Sequence, residues 1–130
     1  MSEQHAATGP IAQAISNGTV QLLREYTGRG PTKARTIVSE DAVVILLADT
    51  LTKAERKLAE SGRGERVMET RHEFQLVMRD DLIALVENQV ERKVIAFMSG
   101  NNIDPDMAAE VFVLARREHA DVSGEPLPGS

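Results

Sequence analysis

Apolar residues recur at helical spacing from Ile11 through Ile15 and Leu22 to Tyr26, and Val20 and Leu23 widen the stripe. Gly9 and Pro10 ahead of it supply a cap and a proline at the first helical position, while Gly28 supplies a stop. The spacing therefore predicts a helix over 10–27. Asn17-Gly18 interrupts the stripe, and that dipeptide is also a strong hairpin signal. Period-two alternation, however, would set Gln13 beside Ile11 and Ile15, whereas Gly18 falls on the helical apolar face. Gly18 reads as a close-packing point that weakens the helix by about 1 kcal/mol.

Two strands are expected next, over 34–39 and 42–48, joined by a turn at Glu40-Asp41. The second is continuously apolar, which predicts burial on both faces and a central place in its sheet. Thr52-Lys53-Ala54-Glu55 has the form of a capping box and opens a helix through about Glu60, stopped by Ser61-Gly62-Arg63-Gly64. A longer helix over 65–90 follows. Val67, Phe74, Met78, Leu82 and Leu85 lie on one side of it, broadened by Val77, Ile83, Val86 and Val90, so it should cover a sheet. Further strands are expected over 94–98 and 111–114, with Asp104-Pro105-Asp106 between them as the N-cap and first-position proline of a short helical turn.

Residues 1–8 read as a loose N-terminus and 118–130 as a disordered tail, leaving one domain over 9–117. The order α-β-β-α-α-β-β gives an α+β fold, with a mostly antiparallel four-stranded sheet and three helices packed on one face. Four strands leave two edges to protect. Pairing of edges or packing of helices across a two-fold axis would do so, and a homodimer is expected on that ground.

Composition narrows the chemistry. The 130 residues contain no cysteine, which excludes disulfides, thiolate metal sites and a cysteine nucleophile. The longest apolar run, residues 42–48, is far short of the roughly 18 a membrane span needs. The chain opens without a basic segment leading into an apolar one, which predicts a cytoplasmic location. Net charge is −5, from 15 Lys and Arg against 20 Asp and Glu, and that balance argues against a long nucleic-acid track.

The cations are not spread evenly. Arg24, Arg29, Lys33 and Arg35 cluster with Glu25 as the one acid among them, whereas the chain beyond Met98 is acidic. Within this basic stretch, Gly28, Arg29, Gly30, Thr32, Lys33 and Arg35 form a candidate anion site. Paired glycines let backbone N–H groups converge, and the hydroxyl and cations suit phosphate, carboxylate or bicarbonate. It is not a P-loop, because Lys33 leads into a strand and not into a helix.

Residues 61–65 echo that loop between two helices, where a KH-like module of the same element order would clamp nucleic acid. Arg29 and Arg63 are the candidate contacts of that alternative. A KH clamp wants Gly-x-x-Gly, and this loop offers Gly62-Arg63-Gly64, so it reads better as a connector. His5, His72 and His119 lack partners at ligand spacing, and neither a metal site nor a cofactor is expected. Glu55 is committed to its cap, and no nucleophile–base pair stands out, so an enzyme is not expected.

Three stretches together resemble one bacterial family. They are Thr27-Gly28-Arg29-Gly30-Pro31-Thr32-Lys33-Ala34-Arg35, Leu51-Thr52-Lys53-Ala54-Glu55-Arg56-Lys57-Leu58, and Val94-Ile95-Ala96-Phe97-Met98-Ser99 running on to Asp104-Pro105-Asp106. The chain is similar in them to the MpsC-like domain family, named after a membrane-potential-generating system linked to cation and bicarbonate transport. The resemblance implies a soluble accessory domain, with membrane transport proteins as partners and a place at the inner face of the membrane. It implies no reaction and carries over no catalytic residues.

Overall fold

In the computed structural model, which describes residues 9–28 and 33–116, seven elements follow the expected order. Helix α1 (Pro10–Thr27) leads into strands β1 (Lys33–Val38) and β2 (Ala42–Ala48). Helices α2 (Lys53–Glu60) and α3 (Gly64–Val90) come next, then strands β3 (Val94–Asn102) and β4 (Met107–Leu114). The expected loose N-terminus and tail lie outside the described residues.

All three strand pairings are antiparallel, and the sheet order is β1-β2-β4-β3. Helices α1 and α3 pack on each other, α1 against β1 and α3 against β3, while α2 rests on α3. The core fills the layer between α1, α3 and the inner sheet face. Phe112, Ile15, Ile45, Leu114, Val43 and Val86 are fully enclosed there. Phe97 and Phe112 pack across neighbouring strands with centroids 5.1 Å apart and planes tilted by 54°, within the separation at which aromatic rings attract.

Local chemistry explains most boundaries. Gly28 ends α1 in the left-handed conformation at φ 82°, donating its N–H to the Arg24 carbonyl. The capping box is complete: Thr52 Oγ1 accepts from Glu55 N at 3.1 Å, and Glu55 Oε1 accepts from Thr52 N at 2.8 Å. A Cβ on Gly18 would stand 2.7 Å from Leu85 Cδ1, so glycine there lets α1 and α3 close on each other.

Two expectations need correction. Strand β2 is central, but it is buried on one face only: Val43, Ile45 and Leu47 point inward, and Val44 and Leu46 stay half-buried on the other side. Its continuous apolar run conceals an alternation of environment. Strands β3 and β4 also run longer than 94–98 and 111–114, because the polar residues at 99–102 pair with 107–110 in a hairpin. Cross-strand backbone bonds hold residues there whose intrinsic strand preference is low. The turn expected at Asp104-Pro105-Asp106 is the tip of this hairpin, residues 103–106.

Candidate functional site

Of the candidate anion-site residues, the structure describes Gly28, Lys33 and Arg35. Arg29, Gly30 and Thr32 lie outside the described residues. Lys33 and Arg35 alternate with Ala34 along edge strand β1, so both stand exposed on the sheet face away from the helices. Arg63 is exposed in the connector between α2 and α3, where Gly64 abuts Ile103 of the β3–β4 turn. Lys33 thus lies on edge strand β1, whereas Arg63 lies beside the turn that joins β3, the strand at the opposite edge, to β4. His72 is an exposed residue of α3. Asp81, on the same helix, accepts from the Tyr26 hydroxyl at 2.7 Å and so joins α3 to α1.

The densest polar constellation lies elsewhere, where the β3–β4 turn meets the β2–α2 loop. Asp106 Oδ1 accepts from Thr50 N at 3.1 Å and Thr50 Oγ1 at 3.0 Å, and Oδ2 accepts from Leu51 N at 2.9 Å. Its backbone carbonyl accepts from Asp49 N at 3.1 Å. Arg56 bridges Asp49 and Asp106 from α2 at 3.2 and 3.4 Å. One turn of chain is thereby satisfied by a carboxylate 55 and 56 residues further on.

Arg71 continues this network into α3. Its Nη1 donates to the Thr50 carbonyl at 3.3 Å and to Glu55 Oε1 at 3.2 Å, and both side chains are largely buried. Glu55 therefore serves twice, as the acid of the capping box and as the counter-ion of Arg71. One helical turn on, Gln75 Nε2 donates to Glu110 Oε2 at 3.1 Å and to Asn101 Oδ1 at 3.3 Å. Asn101 Nδ2 returns a bond to Gln75 Oε1 at 2.9 Å.

Glu110 is the chemically unusual member. It is 2% exposed, on the inner sheet face, and its Oε1 has no hydrogen-bond partner among the described residues. A cavity of about 20 Å³, room for one water-sized group, adjoins it between Thr27, Leu47, Arg71 and Gln75. Burial pushes the Glu110 carboxyl up to about 7, and the Gln75 bond and the Arg71 charge only partly oppose that rise. The group can therefore hold or release a proton near neutral pH inside the core.

Sequence reasoning passed over this cluster, although a signal was there. Alternation along β4 puts Glu110 on the same face as Ala108, Phe112 and Leu114, all inward. Gln75 shares the buried stripe of α3 with Met78, Leu82 and Val86. A carboxylate and an amide at two inward positions suggest a buried pair, but only the folded register brings them together. In the sequence Asp106 reads as part of the turn that Asp104 and Pro105 open, and its partners on Thr50 and Leu51 are not local.

Among the described residues no group of three His, Cys, Asp or Glu is arranged to hold a metal ion. No described helix is long and apolar enough to cross a membrane. No curated protein and no solved structure matches the chain significantly. A family model does match, over residues 7–116, and its description is a Na+-translocating membrane potential-generating system (MpsC). The match takes in every described element, and the chain belongs to the MpsC family.

Proposed function

We propose that this chain is a non-enzymatic accessory or regulatory domain of a Na+-translocating membrane-potential-generating system, acting on membrane transport proteins from the cytoplasmic side. The observation that carries this reading is the family match over 7–116 of a chain whose described helices do not cross a membrane. Its charged network supports a contact role over catalysis. Glu55 is held by Thr52 and Arg71, and Asp106 by Thr50, Leu51 and Arg56, so these carboxylates serve the fold. Small-anion binding at Gly28, Arg29, Gly30, Thr32, Lys33 and Arg35 belongs to the same reading, with bicarbonate and phosphate as the ligands of choice. The left-handed Gly28 and the exposed Lys33 and Arg35 support it.

The test is Na+-dependent membrane potential, read with a voltage-sensitive dye in cells lacking this chain and in cells resupplied with it. Loss on deletion and recovery on resupply is the expected result. An unchanged potential would overturn the accessory role. Calorimetric titration with bicarbonate and with phosphate tests the anion site separately: heat that disappears in Arg35→Ala is expected, and no heat from either anion removes the site. RNA affinity that collapses with salt and with Arg63→Ala would overturn the reading in favour of a KH-like module.

A further inference from the structure

The helices cover one face of the sheet and leave the other open. Register places Ile37, Val44, Val111 and Met98 in one row across that open face. Arg35, Leu46, Ala109 and Gly100 form the next row, and Lys33, Ala48, Met107 and Asn102 the one beyond. The two central strands contribute only apolar side chains to this face, and among the described residues its only charges are Lys33 and Arg35 on edge strand β1. Met98 is 53% exposed and Ile37 37%. A contiguous apolar surface of this kind is a contact surface in a soluble fold.

We infer that the open sheet face binds a second copy of this chain, face to face, about a two-fold axis parallel to the strands. Three observations select this occupant and this axis. First, such an axis lays β1 of one copy over β3 of the other and β2 over β4, while each row keeps its level. Ile37 then meets Met98, Val44 meets Val111, and Leu46 meets Ala109, so bulky side chains are not forced onto bulky ones along the second row.

Second, Arg35 meets Gly100, which is exposed and has no atom within 4 Å of where a Cβ would stand. That space receives the aliphatic stem of the arginine and lets its guanidinium reach the rim. Lys33 at the same time faces the polar Asn102. A two-fold axis across the strands would instead stack β1 on β1 and crowd all four cations of the pair together.

Third, the area suffices. Four strands about 4.8 Å apart and seven residues at about 3.4 Å each cover about 19 by 24 Å, or roughly 450 Å² in projection. Side-chain relief raises the accessible area above that figure, so two copies bury on the order of 1,000 Å² or more, the range of specific interfaces. The two sheets pack as an aligned sandwich about 10 Å apart, with α1 and α3 on the outside of each. This inference does not depend on the accessory role.

The experiment combines sedimentation with cross-linking on the full chain. Native protein is expected to sediment at twice the chain mass, and a monomer across the concentration series would overturn the proposal. Val44→Glu places a charge at the centre of the face and should weaken association by about 100-fold or more, with the far-ultraviolet circular dichroism spectrum unchanged. A dimer that survives this substitution uses another surface and overturns the proposal.

Because the chain has no cysteine, introduced thiols report geometry without background. Arg35→Cys combined with Gly100→Cys should give covalent dimers with a short bismaleimide, while Arg35→Cys alone should not. Cross-linking of Arg35→Cys alone would overturn the axis. These edge positions remain informative even where Val44→Glu fails to fold.

Discussion

The two faces of the sheet invert the usual rule of thumb. The inner face, sealed by α1 and α3, carries Thr36, Glu110, Ser99 and Asn101 among its apolar residues. The open face is apolar throughout its two central strands. The difference shows that burial and polarity are matched through partners and not through hydrophobicity alone. Polar side chains are tolerated inside because the helices bring Ser16 to Thr36 at 2.8 Å and Gln75 to Glu110 at 3.1 Å. Nothing on the described chain supplies such partners on the other side, and apolar residues are what a docking surface there needs.

The contrast can be broken most sharply on β4, where neighbouring residues point to opposite faces. Phe112→Ala empties the centre of the core and is expected to cost about 3–5 kcal/mol in urea unfolding. Val111→Ala, one residue away on the open face, should cost under about 1 kcal/mol at low chain concentration. Equal losses would mean that the open face is already closed within one chain.

Glu110 tests whether the inner polar row is fully compensated. Its carboxyl is raised from 4.5 to about 7, so the folded state binds the proton more tightly than the unfolded state. The group costs nothing extra below the unfolded value. The cost accumulates as pH rises from about 4.5 to about 7 and is complete above that, amounting to on the order of 2–4 kcal/mol. Glu110→Gln should remove this dependence, so its stability relative to the native chain rises between pH 5 and pH 8. A constant difference across that range would show that Oε1 is not isolated from solvent.

Smaller effects sharpen the picture at the end of the sheet. Asp106→Ala abandons the N–H groups of Thr50 and Leu51 and should cost about 1.5–3 kcal/mol by the same unfolding assay. Thr52→Ala removes one half of the capping box on a helix with no buried residues, and about 1 kcal/mol is expected from thermal melts. If Thr52→Ala cost as much as Asp106→Ala, α2 would contribute more to the fold than its surface position suggests.

Much of the fold could be read from the chain because its signals are local. The proline and glycine around α1, the Thr52 and Glu55 box and the turn at Glu40-Asp41 each act within a few residues. The antiparallel α+β architecture follows from their order. What escaped depends on contacts between distant segments. The polar run 99–102 lacks any strand signal of its own, and β4 across the hairpin makes it a strand. The apolar run of β2 says nothing about which side a helix will cover. At the candidate site, Glu55 was legible as a cap but not as the partner of Arg71, because the second role needs α3 alongside. Gln75 and Asn101 became partners only through the same packing.

The position of β4 bears on how the chain is made. Among the described strands it is the last to leave the ribosome, yet it lies between β2 and β3, and β3 pairs with no other of them. A nascent chain that has emerged as far as Asn102 therefore holds β3 without a neighbour, and its helices without Phe112 beneath them. Sheet and core must close together once residues 107–114 arrive, joining positions as distant as Ala42 and Val113. Translation that stalls before Met107 leaves the apolar sides of α1, α3 and β2 uncovered, which makes the stalled product a substrate for chaperones and not a partly working domain.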